Sequence, residues 1–212
     1  MKYQINNMQV IALTGTPGAG KTYFAHLIKR KIKNIKIIEI NKIINKYKLY
    51  SHTDTDNAKV ADIKKLNKKL DSCLKNINEK NKNSNNKFKI KAVVVVGHLN
   101  PELNISFDVS FTIRTSLKTL EKRLKKRNYK KDKIKENLLA EALDYCGIKI
   151  NKISKESYEI ETKNEKQIAL NFIKNLLNNG QKQKVKKIHF RTNINKMPDL
   201  LDFIKNGNAY KF

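Results

Sequence analysis

A glycine-rich segment near the start of the chain carries residue types that bind phosphate. It reads GTPGAGKT from Gly15 to Thr22 and fits the spacing G-x-x-x-x-G-K-[ST]. The glycines allow backbone N–H groups to point at a phosphate. The ammonium group of Lys21 can neutralise β- and γ-phosphate oxygens, and the Thr22 hydroxyl can bind Mg²⁺. The segment therefore predicts a site for a nucleoside triphosphate.

The elements around this segment are those that phosphate binding requires. An apolar run over residues 10–13 predicts a buried strand before the loop. After the loop, apolar residues recur at helical spacing, with lysine and arginine on the other face: Phe24, Leu27, Ile28 and Ile32. The partial positive end of that helix would face the bound phosphates.

Along the rest of the chain, β-type runs alternate with helical patterns. Strands are predicted at residues 35–40, 92–97, 107–115 and 158–162, and helices at 41–47, 60–77, 117–127, 133–146 and 168–177. The run 92–97 is rich in valine, which is typical of a strand buried on both faces of a parallel sheet. We therefore predict an α/β fold, a three-layer P-loop NTPase with about five parallel strands flanked by helices.

Two segments lack the apolar residues that a core needs. Residues 78–87 are almost entirely asparagine and lysine and predict a solvated loop. Residues 181–212 form a basic C-terminal extension without a clear period, except for an amphipathic pattern at 197–204 that predicts one short helix.

The composition is strongly basic. The chain of 212 residues has 46 lysines and arginines against 19 acidic residues, a net charge of +27. Such a surface attracts polyanions, and RNA is the obvious one inside a cell. Abundant lysine, asparagine and isoleucine also fit a strongly AT-biased genome, and arginine, the better phosphate reader, is scarce. RNA contact and biased composition are two compatible explanations.

The sequence indicates a cytoplasmic protein. No apolar run is long enough to span a bilayer, and the N-terminus lacks a signal-peptide pattern. Cys73 and Cys146 are far apart in sequence and are expected to be reduced thiols. We expect a soluble monomer without membrane contact.

Residues 123–129 have the character of a cover over the phosphates. Arg123 and Arg127 lie one helical turn apart, beside a predicted turn. A kinase needs a mobile cover that excludes water, because the γ-phosphate would otherwise be hydrolysed. Two guanidinium groups at this place are suited to clamp the charge on a transferring phosphoryl group. The lysines nearby are more typical of a solvated basic face: Lys118, Lys122 and Lys125.

Five motifs in order resemble one known family. They are TGTPGAGKT at 14–22, the valine-rich strand ending in Gly97-His98, Ile113-Arg114-Thr115, the pattern R-L-x-x-R-x-Y at 123–129, and K-I-x-E-N-x-x-A-E-A at 133–142. Together they resemble the archaeal and eukaryotic adenylate kinase family linked to late maturation of the small ribosomal subunit. The run YEIET at 158–162 is also similar, so the resemblance extends from about residue 8 to 178.

The resemblance implies a nucleoside monophosphate kinase that transfers the terminal phosphate of ATP to AMP, giving two ADP. It also implies Mg²⁺ as cofactor, some ATPase activity, and a role in small-subunit rRNA maturation with a ribosomal protein and rRNA as partners. The family's architecture implies a domain over residues 1–180, with a monophosphate-binding region at about 41–78 and a lid at about 126–136. The alternative is a ribosome-assembly ATPase whose nucleotide turnover controls binding to a small-subunit protein, kinase activity being secondary.

The matching positions imply roles for individual residues. The ATP phosphates would be held by Gly18, Gly20, Lys21, Thr22, Tyr23 and the lid residue Arg127, with Asn164 near the adenine and Thr22 as Mg²⁺ ligand. The catalytic residues would be Lys21, Arg127 and His98. The monophosphate substrate would be bound by Asp62, Arg114 and Arg123.

Two positions depart from that family. Eukaryotic members carry an acid two residues before the histidine, and this chain has Val96 there. Mg²⁺ would then rely on Thr22, the phosphates, water and an acid from elsewhere. Asn45 stands where a monophosphate-side arginine is expected. A GTPase is disfavoured, because Asn151-Lys152 is not followed by the aspartate of an Asn-Lys-x-Asp motif.

Overall fold

The computed structural model describes residues 8–53, 59–84 and 89–179. Its strands are β1 (Gln9–Thr14), β2 (Ile35–Glu39), β3 (Tyr50–Thr53), β4 (Lys59–Ala61), β5 (Ala92–Val96), β6 (Phe107–Ile113) and β7 (Ser154–Ile160). Five of them form one parallel sheet in the order β2-β5-β1-β6-β7. The remaining two, β3 and β4, form an antiparallel hairpin. The predicted parallel sheet of five strands is confirmed.

The helices cover both faces of the sheet. They are α1 (Lys21–Lys31), α2 (Ile40–Tyr47), α3 (Ile63–Lys82), α4 (Leu117–Lys126), α5 (Lys131–Ala142), α6 (Tyr145–Asn151) and α7 (Lys163–Asn179). Because side chains alternate along a strand, Ile11 and Leu13 pack with α1 and α7. Their neighbours Val10 and Ala12 pack with α2, α3 and α6 on the other face. This arrangement is the three-layer fold that the sequence predicts.

A separate apolar cluster joins the two helices that follow β6. It contains Leu117, Leu120 and Leu124 from α4 and Ile134, Leu138 and Leu139 from α5. Ser116 caps α4, since its side-chain oxygen accepts a hydrogen bond from the N–H of Thr119. The pair α4–α5 therefore packs as a unit beside the phosphate-binding loop.

The segment between α2 and α3 differs from its prediction. The helix predicted from residue 60 starts at Ile63, because Lys59–Ala61 pairs with β3. The loop predicted at 78–87 is wrong over residues 78–82, since α3 continues to Lys82. Asn81 binds the backbone of Ile90 through two hydrogen bonds of 2.8 Å, which ties the end of α3 to the chain before β5. Residues 85–88 lie outside the described part.

Boundaries near the end of the domain also differ. The helix predicted at 133–146 is divided into α5 and α6, because Asp144 adopts a left-handed conformation with φ of 53°. Strand β7 begins at Ser154, four residues before its prediction. The extension 181–212 and its predicted helix lie outside the described residues.

Within the described ranges, no helix is both long and apolar enough to cross a membrane. Cys73 is half-buried and Cys146 is buried, and both are free thiols.

Candidate active site

The phosphate-binding loop follows β1, the central strand of the sheet. Gly15 has φ of +131°, and a Cβ there would collide with the carbonyl oxygen of Ile113. Gly18 has φ of +93°, and its Cβ would lie 2.9 Å from Cδ1 of Leu120. The positive φ favours glycine at both positions, and at Gly15 the backbone of β6 also leaves no space for a Cβ.

The loop ends at the N-terminus of α1. Gly20 is the N-cap residue with φ of 114°, and none of the described side chains caps this end of the helix. Its first N–H groups are thus available for an anion, and the helix dipole favours negative charge there. Thr22 lies exposed in the first turn. This end of α1 therefore suits a polyphosphate, with the Thr22 hydroxyl beside the bound phosphates.

Lys21 points back into its own loop. Its Nζ donates to the carbonyl oxygens of Gly15 at 2.7 Å and Thr16 at 3.0 Å. Burial lowers the pKa of Lys21 to about 8; Cys146 and Glu141 oppose this shift and Arg127 adds to it. The ammonium group therefore remains charged at neutral pH, but by a margin of only about one pH unit.

The two arginines of the predicted cover have different positions. Nη1 of Arg123 donates to the carbonyl oxygens of Gly18 and Ala19, both at 3.1 Å, so this guanidinium binds the loop itself. Arg127 is the exposed C-cap residue of α4. The positive charge of Arg127 contributes to the lowered pKa of Lys21.

A cavity of about 900 Å³ opens beside the loop. Its walls come from the loop, α2, β4, the segment after β5, and the α4–α5 connection. Four cations line it: Lys59, Arg127, Lys130 and Lys133. Glu102 is the one carboxylate among the described lining residues. Its volume and charge suit a phosphorylated ligand of nucleotide size.

Lys59 occupies the side of this cavity where the sequence lacks an arginine. Its Nζ donates to Oδ1 of Asn45 at 2.8 Å and lies 4.8 Å from the ring centre of Tyr50. Asn45 thus holds a cation from β4 instead of supplying one from α2. The sequence does not reveal this pairing, because the two residues belong to elements whose contact depends on the hairpin.

His98 lies half-buried after β5 and lines the cavity. Burial, together with the positive charges of Lys21 and Lys133, lowers its pKa to about 4. The imidazole is therefore neutral at physiological pH. In that form it can accept or donate a hydrogen bond, but it adds no positive charge for a phosphate.

Mg²⁺ would be held through the nucleotide more than through protein carboxylates. Val96 is buried in the core. Glu102 accepts hydrogen bonds from Tyr145 and Lys149, both at 2.9 Å. The described residues contain no group of three metal-binding side chains. The exposed Thr22 hydroxyl suits Mg²⁺, which keeps several waters and binds substrate phosphates.

Three other predicted site residues lie around the cavity rim or outside it. Asp62 caps α3 by accepting a hydrogen bond of 2.9 Å from the N–H of Lys65, the main cause of its lowered pKa. Tyr23 is 66% exposed and lines a neighbouring groove with His26. Asn164 is exposed in the first turn of α7. The structure does not bring these three side chains into the cavity.

Arg114 lies beneath the phosphate-binding loop instead of on the cavity wall. It is 2% exposed and forms ion pairs with Glu141 and Asp144. Its Nη2 also donates to the carbonyl oxygen of Glu141 at 2.8 Å. This placement favours a supporting role over the substrate contact predicted for it. Glu141 belongs to a motif visible in the sequence, but nothing in the spacing indicates its partners.

Comparison with known proteins identifies relatives. A family profile described as "AAA domain" matches residues 11–144. A protein named "Putative adenylate kinase" from Methanocaldococcus jannaschii is 36% identical over 155 residues, covering 73% of this chain and 77% of that protein. A protein of the same name from Methanosarcina barkeri is 30% identical over 154 residues, covering 72% and 76%.

Solved structures overlap more distantly. The chain of Acinetobacter baumannii shikimate kinase in complex with shikimate is 13% identical, with a TM-score of 0.47, covering 84% of this chain and 98% of that one. TT1252 from Thermus thermophilus is 12% identical, with a TM-score of 0.43, covering 79% and 97%. The assignment to a family rests on the profile and the archaeal relatives.

Proposed function

Because the chain belongs to the P-loop kinase family of these archaeal adenylate kinase relatives, we propose that it transfers the terminal phosphate of ATP to AMP. The observation that carries this proposal is the cavity of about 900 Å³, which adjoins the phosphate-binding loop and has a further cation, Lys59, on the hairpin side. An ATPase needs one phosphate site, whereas a kinase needs a donor site and an acceptor site. The loop with Lys21 suits the donor, and the cavity beside it with Lys59 suits the acceptor.

In the proposed reaction, an oxygen of the AMP phosphate attacks the γ-phosphorus of ATP. A new P–O bond forms as the bond from the γ-phosphorus to the β–γ bridging oxygen breaks, giving two ADP. Lys21 and Arg127 neutralise the charge on the transferring group. Lys59, held by Asn45, binds the acceptor phosphate. Neutral His98 orients a phosphate oxygen through a hydrogen bond.

Thr22 would hold Mg²⁺ together with the ATP phosphates. When bound, Mg²⁺ supplies charge neutralisation on the β- and γ-phosphate oxygens. The lid residues of the α4–α5 connection, from Arg127 to Lys130, exclude water from the cavity that they line.

The test is ADP formation from ATP and AMP, with ATP loss measured separately without AMP. We expect AMP to accelerate ATP loss, and Lys21→Ala to lower ADP formation by about 100-fold or more, the usual loss for one transition-state contact. Lys31→Ala removes an equal charge at the exposed far end of α1 and should leave the rate unchanged. Native activity in Lys21→Ala, or no response to AMP, would contradict the proposal.

A second candidate is an assembly ATPase acting on the small ribosomal subunit. The observation that favours it is the net charge of +27, which suits a polyanionic partner such as rRNA. In this case a small-subunit protein or RNA, and not AMP, should accelerate ATP loss. The same assay therefore separates the two functions by the component that stimulates it.

A further inference from the structure

Glu141 is a buried carboxylate that lies beneath the phosphate-binding loop. It is 1% exposed, and its Oε2 accepts a hydrogen bond of 2.5 Å from the Thr16 hydroxyl. Its Oε1 accepts from the N–H of Thr115 at 3.2 Å and lies 3.2 Å from Nε of Arg114. One side chain thus joins the loop to the end of β6.

Thr16 connects this carboxylate to the rest of the loop. Its carbonyl oxygen accepts hydrogen bonds from the N–H of Ala19 and from Nζ of Lys21, both at 3.0 Å. Thr16 is itself 1% exposed. The hydrogen bond of the Thr16 side chain therefore fixes the position of the Thr16 backbone. The Thr16 carbonyl oxygen in turn holds the loop through Ala19 and binds Nζ of Lys21.

Glu141 also belongs to α5, which lines the cavity farther along through Lys133 and Asn137. Helix α5 packs on α4, and Arg123 of α4 binds the carbonyl oxygens of the loop. The α4–α5 unit consequently contacts the loop at two points, at Gly18–Ala19 through Arg123 and at Thr16 through Glu141.

We propose that Glu141 is a positioning residue for nucleotide binding: its hydrogen bond with Thr16 holds the phosphate-binding loop in its binding conformation against the lid helices. This inference rests on the nucleotide binding of the proposed function, not on AMP as acceptor. If the bond is lost, the loop visits other conformations, and the affinity for ATP falls with the population of the competent one. A carboxylate that only stabilises the fold would not have this effect.

Thr16 is the better position for the test, because replacing Glu141 would remove one of the two carboxylates paired with buried Arg114. Thr16→Val keeps the shape and removes the hydroxyl, and Thr16→Ser keeps the hydroxyl. Ser110→Ala is the matched control: Ser110 is buried on β6, where it pairs with Ala12 of β1, and its Oγ lies 2.7 Å from Oγ of Ser157 on β7, so this change removes a buried hydroxyl pair outside the loop. ATP affinity is measured by calorimetry with MgATP, and stability by thermal unfolding.

We expect Thr16→Val to weaken ATP binding about tenfold or more, the size expected for one hydrogen bond to a charged group. Thr16→Ser should remain within about twofold of the native protein by the same reasoning. Ser110→Ala should lower the unfolding temperature and leave ATP binding unchanged.

The proposal is overturned if Thr16→Val binds ATP as the native chain does, or if Thr16→Ser loses as much affinity as Thr16→Val. Equal loss in Ser110→Ala would also overturn it, because the effect would then follow general stability. If the native chain binds ATP but does not phosphorylate AMP, that result contradicts the proposed function and does not affect this inference.

Discussion

The ammonium group of Lys21 donates to two carbonyl oxygens of its own loop, and burial lowers its pKa to about 8. A bound phosphate would favour the charged form and raise that pKa again. Above the pKa of the free protein, ATP binding must therefore take up a proton. Below it, the ammonium group is already charged and no proton is needed.

The first prediction is a dependence of ATP binding on pH. The affinity should be constant from about pH 6 to 7.5 and should fall above about pH 8, approaching tenfold per pH unit. Lys21→Arg keeps its charge throughout, so its affinity should lack this decline even if it is weaker overall. Calorimetry with MgATP at several pH values measures both. If the ATP affinity of the native chain is constant up to pH 10, the charge of Lys21 does not control ATP binding and the prediction is wrong.

At the scale of elements, the β3–β4 hairpin brings a cation to the side of the cavity that we propose for the acceptor. Lys59 lies on β4, and Asn45 on α2 holds its ammonium group at 2.8 Å. The hairpin and α2 therefore form this side of the cavity together. A lysine on a hairpin can replace the arginine expected on the helix, because a phosphate is bound by a positive charge close to it, whichever element of the chain supplies that charge.

We expect Lys59→Ala to raise the KM for AMP by about tenfold and to change the KM for ATP by less than about twofold, since one phosphate contact is lost on one substrate only. Asn45→Ala should raise the KM for AMP less, because Lys59 keeps its charge but loses its support. Steady-state kinetics with each nucleotide varied in turn separates these constants.

The control for this prediction is Lys42→Ala. Lys42 is exposed on α2, pairs with Glu39 at 2.5 Å and does not line the cavity. A rise in the KM for AMP of the same size in both variants would show that net charge, not the position of Lys59, determines acceptor binding.

At the scale of the whole molecule, the net charge of +27 affects every encounter with an anion. Lysines are distributed over several elements. Such a field attracts RNA through counterion release without reading its sequence.

We therefore expect the chain to bind single-stranded RNA without sequence preference and with strong salt dependence. From 50 to 200 mM salt the affinity should fall by roughly 10³-fold, as for a protein that neutralises about seven phosphates of a single strand. Fluorescence anisotropy with two oligonucleotides of equal length and unrelated sequence measures this. Affinity that persists at 200 mM salt for one sequence only would contradict the prediction and indicate a specific RNA site.

Local patterns in the sequence were sufficient for the main elements of the fold. The valine run predicts a strand buried on both faces, and every residue of β5 is buried. The glycines of GTPGAGKT predict a loop, and all three have positive φ. The alternation of strands and helices predicts a parallel sheet for the same local reason. The hairpin was not predictable, since β3 and β4 are only four and three residues long and are defined by pairing with each other.

The sequence by itself thus determined the phosphate-binding loop, the alternation of the parallel strands with helices, and the sign of the charge around them. These properties depend on residue type and on spacing within one element. Only the tertiary structure decided that Asn45 holds Lys59, that Arg123 binds the loop and that Glu141 supports Thr16 from below. Each of these contacts joins residues 14 to 125 positions apart, and a periodicity within one element carries no information about them. The loop can therefore be recognised from its own residues, whereas the groups that position it and line the cavity beside it follow from how the elements pack.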